Sequence, residues 1–368
     1  MAAGSVDVAA CLSDTAENMR VPIAEWTSAS LPPATQFVRD FVGRSAPVVL
    51  RRAAAHWKVC SWSRSHLISV LGGPAASVPV AITPDGWADA VHPRSSAFLE
   101  PLETRVNVAS FFSLLDSFDT VRLDGEGAHQ PLSAASTLEG RDARRPVVAY
   151  SQSQNGCLDR DPTWSRLLPH VPEEIERFGV EVFGCPCDAR NVWLGGEESV
   201  TSLHQDWYEN LYVVTHGVKH FRLLPPWCAP LVPKVRSPRS VWGWRTGAAV
   251  GEGSDATAWA ADDLEERPLF VVDEATGRPI RDEVPWVPHP LAAPAAAAVV
   301  SVDVRAGDVL YLPAMWFHEV SQSAATTGGG ENAGFNAVLA FNYWFDMSFD
   351  SPAYHLQALI KRLSGESA

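Results

Sequence analysis

His204 and Asp206 stand two residues apart within Val200–Pro226, VTSLHQDWYENLYVVTHGVKHFRLLPP. The Val, Leu, Tyr, Thr and Phe content of that stretch reads as β-strand. Residues i and i+2 of a strand share a face, so an imidazole and a carboxylate emerge side by side while Leu203 and Gln205 face away. Such a pair can grip two adjacent positions of a metal ion. The spacing alone is weak, because 11 His and 43 acidic residues in 368 predict about one His-x-Asp/Glu by chance. A third ligand gives it weight. His318 lies in Ala306–Val320, AGDVLYLPAMWFHEV, where a Gly-Asp turn launches an apolar strand that Pro313 interrupts just before Trp316-Phe317-His318. Two histidines and one carboxylate with open positions suit non-haem Fe(II), which must also hold a co-substrate and O₂.

Ligands on distant strands need a barrel-like scaffold, and the chain supplies strand signals. From Pro146 onward come VVAYSQSQ, NVWLGG, SVTSLHQD, NLYVVT, HFRLLPP, VLYLPA and NAVLAFNYWF, separated by turn residues. Short strands at that spacing predict a mainly β fold, a sandwich or jelly roll and not a parallel α/β sheet. Ser237–Pro268, Ala292–Ala298 and Thr326–Glu331 read as surface loops from their Gly, Ser, Ala and acidic content. Upstream, helical spacing in ATQFVRDFVGR, SRSHLISVLGG and Val108–Phe118 alternates with strands at Val48-Val49-Leu50 and Val78–Thr83. Pro79 suits an edge strand there. Residues 1–20 look disordered, and YHLQALIKRL (Tyr354–Leu363) reads as an amphipathic helix. The division is therefore an N-terminal mixed α/β part over 20–145, a jelly-roll core over 146–350 and a C-terminal helix over 351–368.

Composition narrows the class. At 46% apolar and 20% charged the chain reads as soluble and globular. A net charge of −14 with no Lys/Arg cluster argues against nucleic-acid binding and favours a basic partner or simple solubility. The six cysteines form no disulfide framework, and Cys185-Pro186-Cys187 has no second pair at zinc-site spacing. The N-terminus lacks a signal-peptide pattern and no apolar run spans a bilayer, so the expected location is the cytoplasm, with the nucleus as an alternative.

HQDWYENLYVVTHGVKHF, AGDVLYLPAMWFHEV and FNYWFDM resemble the jumonji-C (JmjC) oxygenases, most closely their small lysyl (3S)-hydroxylase members. The likeness extends to PVVLRRAAAHW (Pro47–Trp57), ITPDGWADAV (Ile82–Val91) and EVPWVP (Glu283–Pro288), and covers most of residues 20–350. It implies a double-stranded β-helix, a cupin-like jelly roll, using Fe(II) and 2-oxoglutarate as co-substrate. His204, Asp206 and His318 then fall at the metal, and Lys219 falls where the distal carboxylate of 2-oxoglutarate is held. Thr201 and Tyr150 match the accompanying hydroxyls, and Asn210 and Asn342 match amides near the chelating end. Tyr212, with Tyr208, Trp193 and Trp344, fits either the pocket wall or the core. Trp207, following the ligand aspartate, departs from the family and would lie close to the iron. Asp85 and Asp89 in TPDGWADA read as structural turn residues or as substrate contacts, the structural reading being preferred, and His216 and His220 read as hairpin residues. The resemblance implies a protein or peptide substrate, a lysine in a translation-associated GTPase for example, and a homodimer built on the C-terminal helix. Alternatives at the same site are an N-methyl-lysine demethylase or an RNA-modifying oxygenase, and, without catalysis, a cupin-like scaffold. For the peptidase activity also attributed to this family, the chain offers no separate nucleophile or zinc motif.

Overall fold

Side-chain alternation sorts the apolar residues of one long sheet into two cores. Leu211 and Val213 join an outer cluster with Phe37, Phe111, Phe178 and Phe341, whereas Tyr212 and Val214 join an inner one with Tyr150, Trp193, Phe221 and Leu223. A period of two puts successive residues on opposite faces, so one strand serves both cores. The computed structural model describes residues 20–28, 30–117, 145–152, 154, 156–248, 256–273, 276–291, 293–324 and 335–363. The N-terminal 1–19 tail, Cys11 and the Thr326–Glu331 loop lie outside the described residues.

The first part contributes β1 (Ala24–Trp26), β2 (Val48–Leu50), β3 (Ser77–Thr83), β4 (Trp87–Ala88), β5 (Ala90–Val91), β6 (Phe98–Glu100) and β7 (Leu102–Asn107). Then come β8 (Val148–Ser151), β9 (Ala189–Gly195), β10 (Val200–Gln205), β11 (Tyr208–His216), β12 (Val218–Leu224) and β13 (Val235–Trp244). β14 (Leu264–Pro268), β15 (Phe270–Val272), β16 (Pro279–Arg281) and β17 (Glu283–Trp286) follow. β18 (Val300–Arg305), β19 (Val309–Leu312), β20 (Phe317–Ser323) and β21 (Val338–Asp346) complete the strands. A nine-stranded sheet runs β1-β2-β19-β11-β21-β9-β8-β3-β7, and a five-stranded sheet runs β18-β12-β20-β10-β4. Both contribute to the inner cluster, which is the interior of a cupin-like jelly roll. No helix among the described residues is long and apolar enough to cross a membrane.

Helices cover the outer face. Asn107 caps Val108–Asp116 by accepting the Ser110 amide at 2.7 Å, and that helix buries Phe111, Phe112, Leu114 and Leu115. Glu174–Phe183 lies so close to β21 that a Cβ on Gly179 would stand 2.2 Å from the Phe345 ring, so only glycine fits. Helices also form over Ala34–Asp40, Arg64–Val70 and, at the C-terminal end, Pro352–Leu363, where the sequence predicts them.

Two readings change. Ser237–Pro268 is not all loop: it carries most of β13 and all of β14, and Ala293–Ala297 is a short helix. Their polar composition conceals strands whose partners are also polar. Arg239 on β13 pairs with Glu100 and Asp282, and buried Ser240 donates to Glu266 on β14. Nor is Pro79 on an edge strand, since β3 lies between β8 and β7. β8 pairs only with Ala81–Thr83, which leaves Pro79 beyond its end, and the Pro79 carbonyl accepts the Ser151 hydroxyl instead.

Candidate metal centre

His204 and His318 face each other directly across the antiparallel β10–β20 pair. Thr201 pairs with Val320, three residues from His204 on one strand against two on the other, so β10 carries a bulge between them. The extra residue brings Thr201 onto the histidines' face, where an unbroken strand would turn it away. β10 ends at Gln205, so Asp206 belongs to the turn into β11. Its Oδ2 lies 3.7 Å from His204 Nε2 and 3.5 Å from His318 Nε2, and ligand atoms of all three residues fall within 4.8 Å of one another.

Backbone carbonyls fix the imidazoles. His204 Nδ1 lies 2.7 Å from the Ser202 carbonyl and His318 Nδ1 lies 3.0 Å from the Trp316 carbonyl. Each Nδ1 therefore carries a proton and donates, so that Nε2 of both rings faces Asp206 and is the atom each ring would offer a metal on losing its proton. Burial opposes the Asp206 charge, yet the two histidines outweigh it and hold the carboxyl far below the usual range. Burial lowers His318 and the neighbouring His204 lowers it further, whereas for His204 the Asp206 carboxylate overcomes burial and raises it. A divalent cation would satisfy two buried neutral imidazoles and a carboxylate together. The donor set fits a metal.

The lead-in to His318 is braced. Met315 has φ 66, a left-handed conformation disfavoured for a long side chain. Its amide donates to the Asp206 carbonyl at 2.8 Å, its carbonyl accepts Gln205 Nε2, and Glu209 accepts from the Ala314 amide and the Tyr311 hydroxyl. Gln205 thus ties the turn before the third ligand to the turn bearing the second. Gln205→Ala is expected to weaken Co(II) binding about tenfold with the fold intact. Calorimetric titration and circular dichroism check this, and unchanged affinity would remove Gln205 from the brace.

Deeper inside, Lys219 on β12 pairs with Gln322 on β20. It is 2% exposed, with Nζ 2.9 Å from the Tyr150 hydroxyl and hydrogen-bonded to Gln322 Oε1. No carboxylate among the described residues lies in ion-pair range, and burial pushes its pKa down to about 7. A buried ammonium lacking a counter-ion is costly unless an anion arrives. Gln322 was missed in the sequence, although four residues past His318 on one strand means the same face.

The other candidates divide. Asn342 donates to Asn210 Oδ1 at 3.3 Å and accepts from Trp193 Nε1 at 2.9 Å, and Tyr212 pairs with Asn342 across β11 and β21. Asn210 sits on β11, past the turn that carries Asp206. Tyr212 and Trp193 are inner-core residues, and Tyr208 stacks on Trp344 at 4.9 Å. Trp207 is 46% exposed and packs against Phe349 and Tyr354 near the C-terminal helix. His216 bonds the Trp62 carbonyl and stacks on Phe335, while His220 bonds Asp303 and Ser323, so neither joins a metal cluster.

A jelly roll presenting two histidines from adjoining strands and a carboxylate from the turn beside them defines the cupin class of metal-dependent proteins. The family model for the cupin-like domain matches residues 33–351. The chain is 33% identical to the human bifunctional peptidase and (3S)-lysyl hydroxylase JMJD7, over 94% of this chain and 91% of that protein. It is 30% identical to JmjC domain-containing protein E of Dictyostelium discoideum, over 89% and 86%, and 32% identical to the lysine-specific demethylase JMJ32 of Arabidopsis thaliana, over 87% and 81%. The chain belongs to the cupin-like JmjC family and is a 2-oxoglutarate oxygenase.

Proposed function

We propose that this chain hydroxylates a lysine side chain of a protein, with His204, Asp206 and His318 holding Fe(II) and Lys219 receiving the distal carboxylate of 2-oxoglutarate. The observation that carries the reading is Lys219, a buried ammonium with hydroxyl and amide partners but no carboxylate among the described residues. When bound, Fe(II) and 2-oxoglutarate supply the oxidant: O₂ places one oxygen atom in a substrate C–H bond and the other in succinate, with CO₂ released. The chain's own residues do the positioning. Tyr150 orients the ammonium, Asn210 and Asn342 offer amides toward the chelating end, and the inner aromatic cluster keeps water out.

Lysine is supported by the hydroxylase relative, and the acidic balance of the chain suits a basic substrate. The demethylase relative supports a second reading, in which the same site oxidises an N-methyl group. Anaerobic titration with Fe(II) and then 2-oxoglutarate is expected to give a weak visible charge-transfer band, and its absence would refute the cofactor pair. Mass spectrometry of lysine and methyl-lysine peptides separates the rest. One added oxygen on lysine supports hydroxylation, and formaldehyde from methyl-lysine supports demethylation in its place.

A further inference from the structure

Beside this centre lies a cavity of about 770 Å³ whose walls include Asp89, Glu100, Glu103, Trp242, Trp244 and Arg267. Asp89 sits where the chain leaves β4, which pairs with β10, and enters β5, which pairs with β6. Its φ of 52 is left-handed, a conformation aspartate tolerates better than most residues. The backbone there is pinned to the metal site. Its carbonyl accepts the Ser202 hydroxyl, and the Ser202 carbonyl in turn holds His204 Nδ1 at 2.7 Å. Trp286 also donates to Ser202 and lies parallel to the His204 ring.

The Asp89 carboxylate, by contrast, has no hydrogen bond or ion pair among the described residues. Burial pushes it up to about 6, His204 opposing and Glu100 and Glu103 adding to the rise. The other charges on the wall are largely spoken for. Glu100 binds Arg239, and Arg267 binds Glu265 and the Trp244 carbonyl. Glu103 is exposed on β7, with no ion pair among the described residues. The cavity therefore combines two carboxylates that have no hydrogen bond or ion pair among the described residues with two tryptophans.

We propose that this cavity receives a cationic side chain of the substrate polypeptide, with Asp89 as the specificity-determining carboxylate, Trp242 and Trp244 as walls and Glu103 at the rim. The proposal extends the reading above, that the neighbouring centre acts on a protein. An ammonium or guanidinium placed there gains ion pairing to a partly desolvated carboxylate and cation–π contact with tryptophan. A neutral or anionic side chain would leave Asp89 half-buried and unpaired, so the same groups disfavour it. The TPDGWADA motif then serves recognition as well as the turn.

The test is calorimetric titration of the metal-free full chain with three Gly/Ser dodecapeptides carrying one central lysine, arginine or norleucine. The lysine or the arginine peptide is expected to bind at least about tenfold tighter than the norleucine peptide, with the difference shrinking as salt rises. Asp89→Asn should lose most of that preference. Glu103→Lys, a change at an exposed position that cannot disturb the core, should lose about tenfold in affinity for the cationic peptide. Equal binding of all three peptides, no binding at all, or wild-type affinity in Glu103→Lys and Asp89→Asn would overturn the proposal. Titration with 2-oxoglutarate and iron in parallel keeps the two ideas apart. Peptide discrimination without cofactor binding would refute the oxygenase assignment of the centre and leave this site standing, and the reverse result would do the opposite.

Discussion

His318→Ala is expected to abolish stoichiometric Fe(II) binding and to lower turnover by about a thousandfold or more, equivalent to about 4 kcal/mol of lost transition-state stabilisation. The geometry explains why one ligand matters so much. His204 and His318 face each other across one strand pair, and both Nε2 atoms approach a single Asp206 oxygen, at 3.7 and 3.5 Å. Removing either imidazole leaves two protein ligands on one side of the ion, too few to hold it in competition with water. Structural damage is expected to be small. Besides its approach to Asp206, His318 makes one side-chain hydrogen bond among the described residues, to the Trp316 carbonyl, and losing it costs about 1–2 kcal/mol. Asp206→Asn gives a complementary result, because it keeps the shape and removes the charge. Fe(II) titration together with thermal melting decides the matter: a His318→Ala variant that folds and still binds one equivalent of iron would disprove the assignment of the centre.

How much of this was legible in the sequence depends on how far each feature is local. His204, Asp206 and His318 were readable because a two-residue spacing and a His after a Pro-interrupted strand are local signals. The β10 bulge was not, since it is defined only against the register of β20, yet it alone puts Thr201 on the right face. Trp207 illustrates the converse. It stands next to a local signal at Asp206, yet its packing partners Phe349 and Tyr354 come from the far end of the chain. β13 and β14 stayed hidden because their stabilising partners are ion pairs and serines from distant strands, which by composition look like loop. Asp89 read as a turn residue, which its backbone is. What its carboxylate faces depends on β13, hundreds of atoms away in the chain and adjacent only in the fold.

The second large effect concerns Lys219. Lys219→Met is expected to raise the 2-oxoglutarate concentration needed for half-saturation about a hundredfold, because a desolvated ion pair loses one partner, worth about 2–5 kcal/mol. Stability without 2-oxoglutarate should respond differently. Methionine approximates the length of lysine and removes a charge that the fold holds without a carboxylate, although the Tyr150 and Gln322 groups each lose a bond. Burial brings the Lys219 pKa from 10.5 down to about 7, so between those values the unfolded chain binds the proton and the folded chain does not. The folded wild-type chain therefore gains stability from this group as pH rises from about 7 to about 10.5, while below about 7 it carries a constant penalty on the order of 4–5 kcal/mol. Methionine has no such penalty and no such slope. The difference in melting temperature between wild type and Lys219→Met should thus favour the variant most near neutral pH and shrink toward pH 10. Saturating 2-oxoglutarate should reverse it, by supplying the missing carboxylate to the wild type alone. Parallel melting curves at all pH values, with and without 2-oxoglutarate, would mean that Lys219 is neither strained by burial nor the residue that meets the co-substrate.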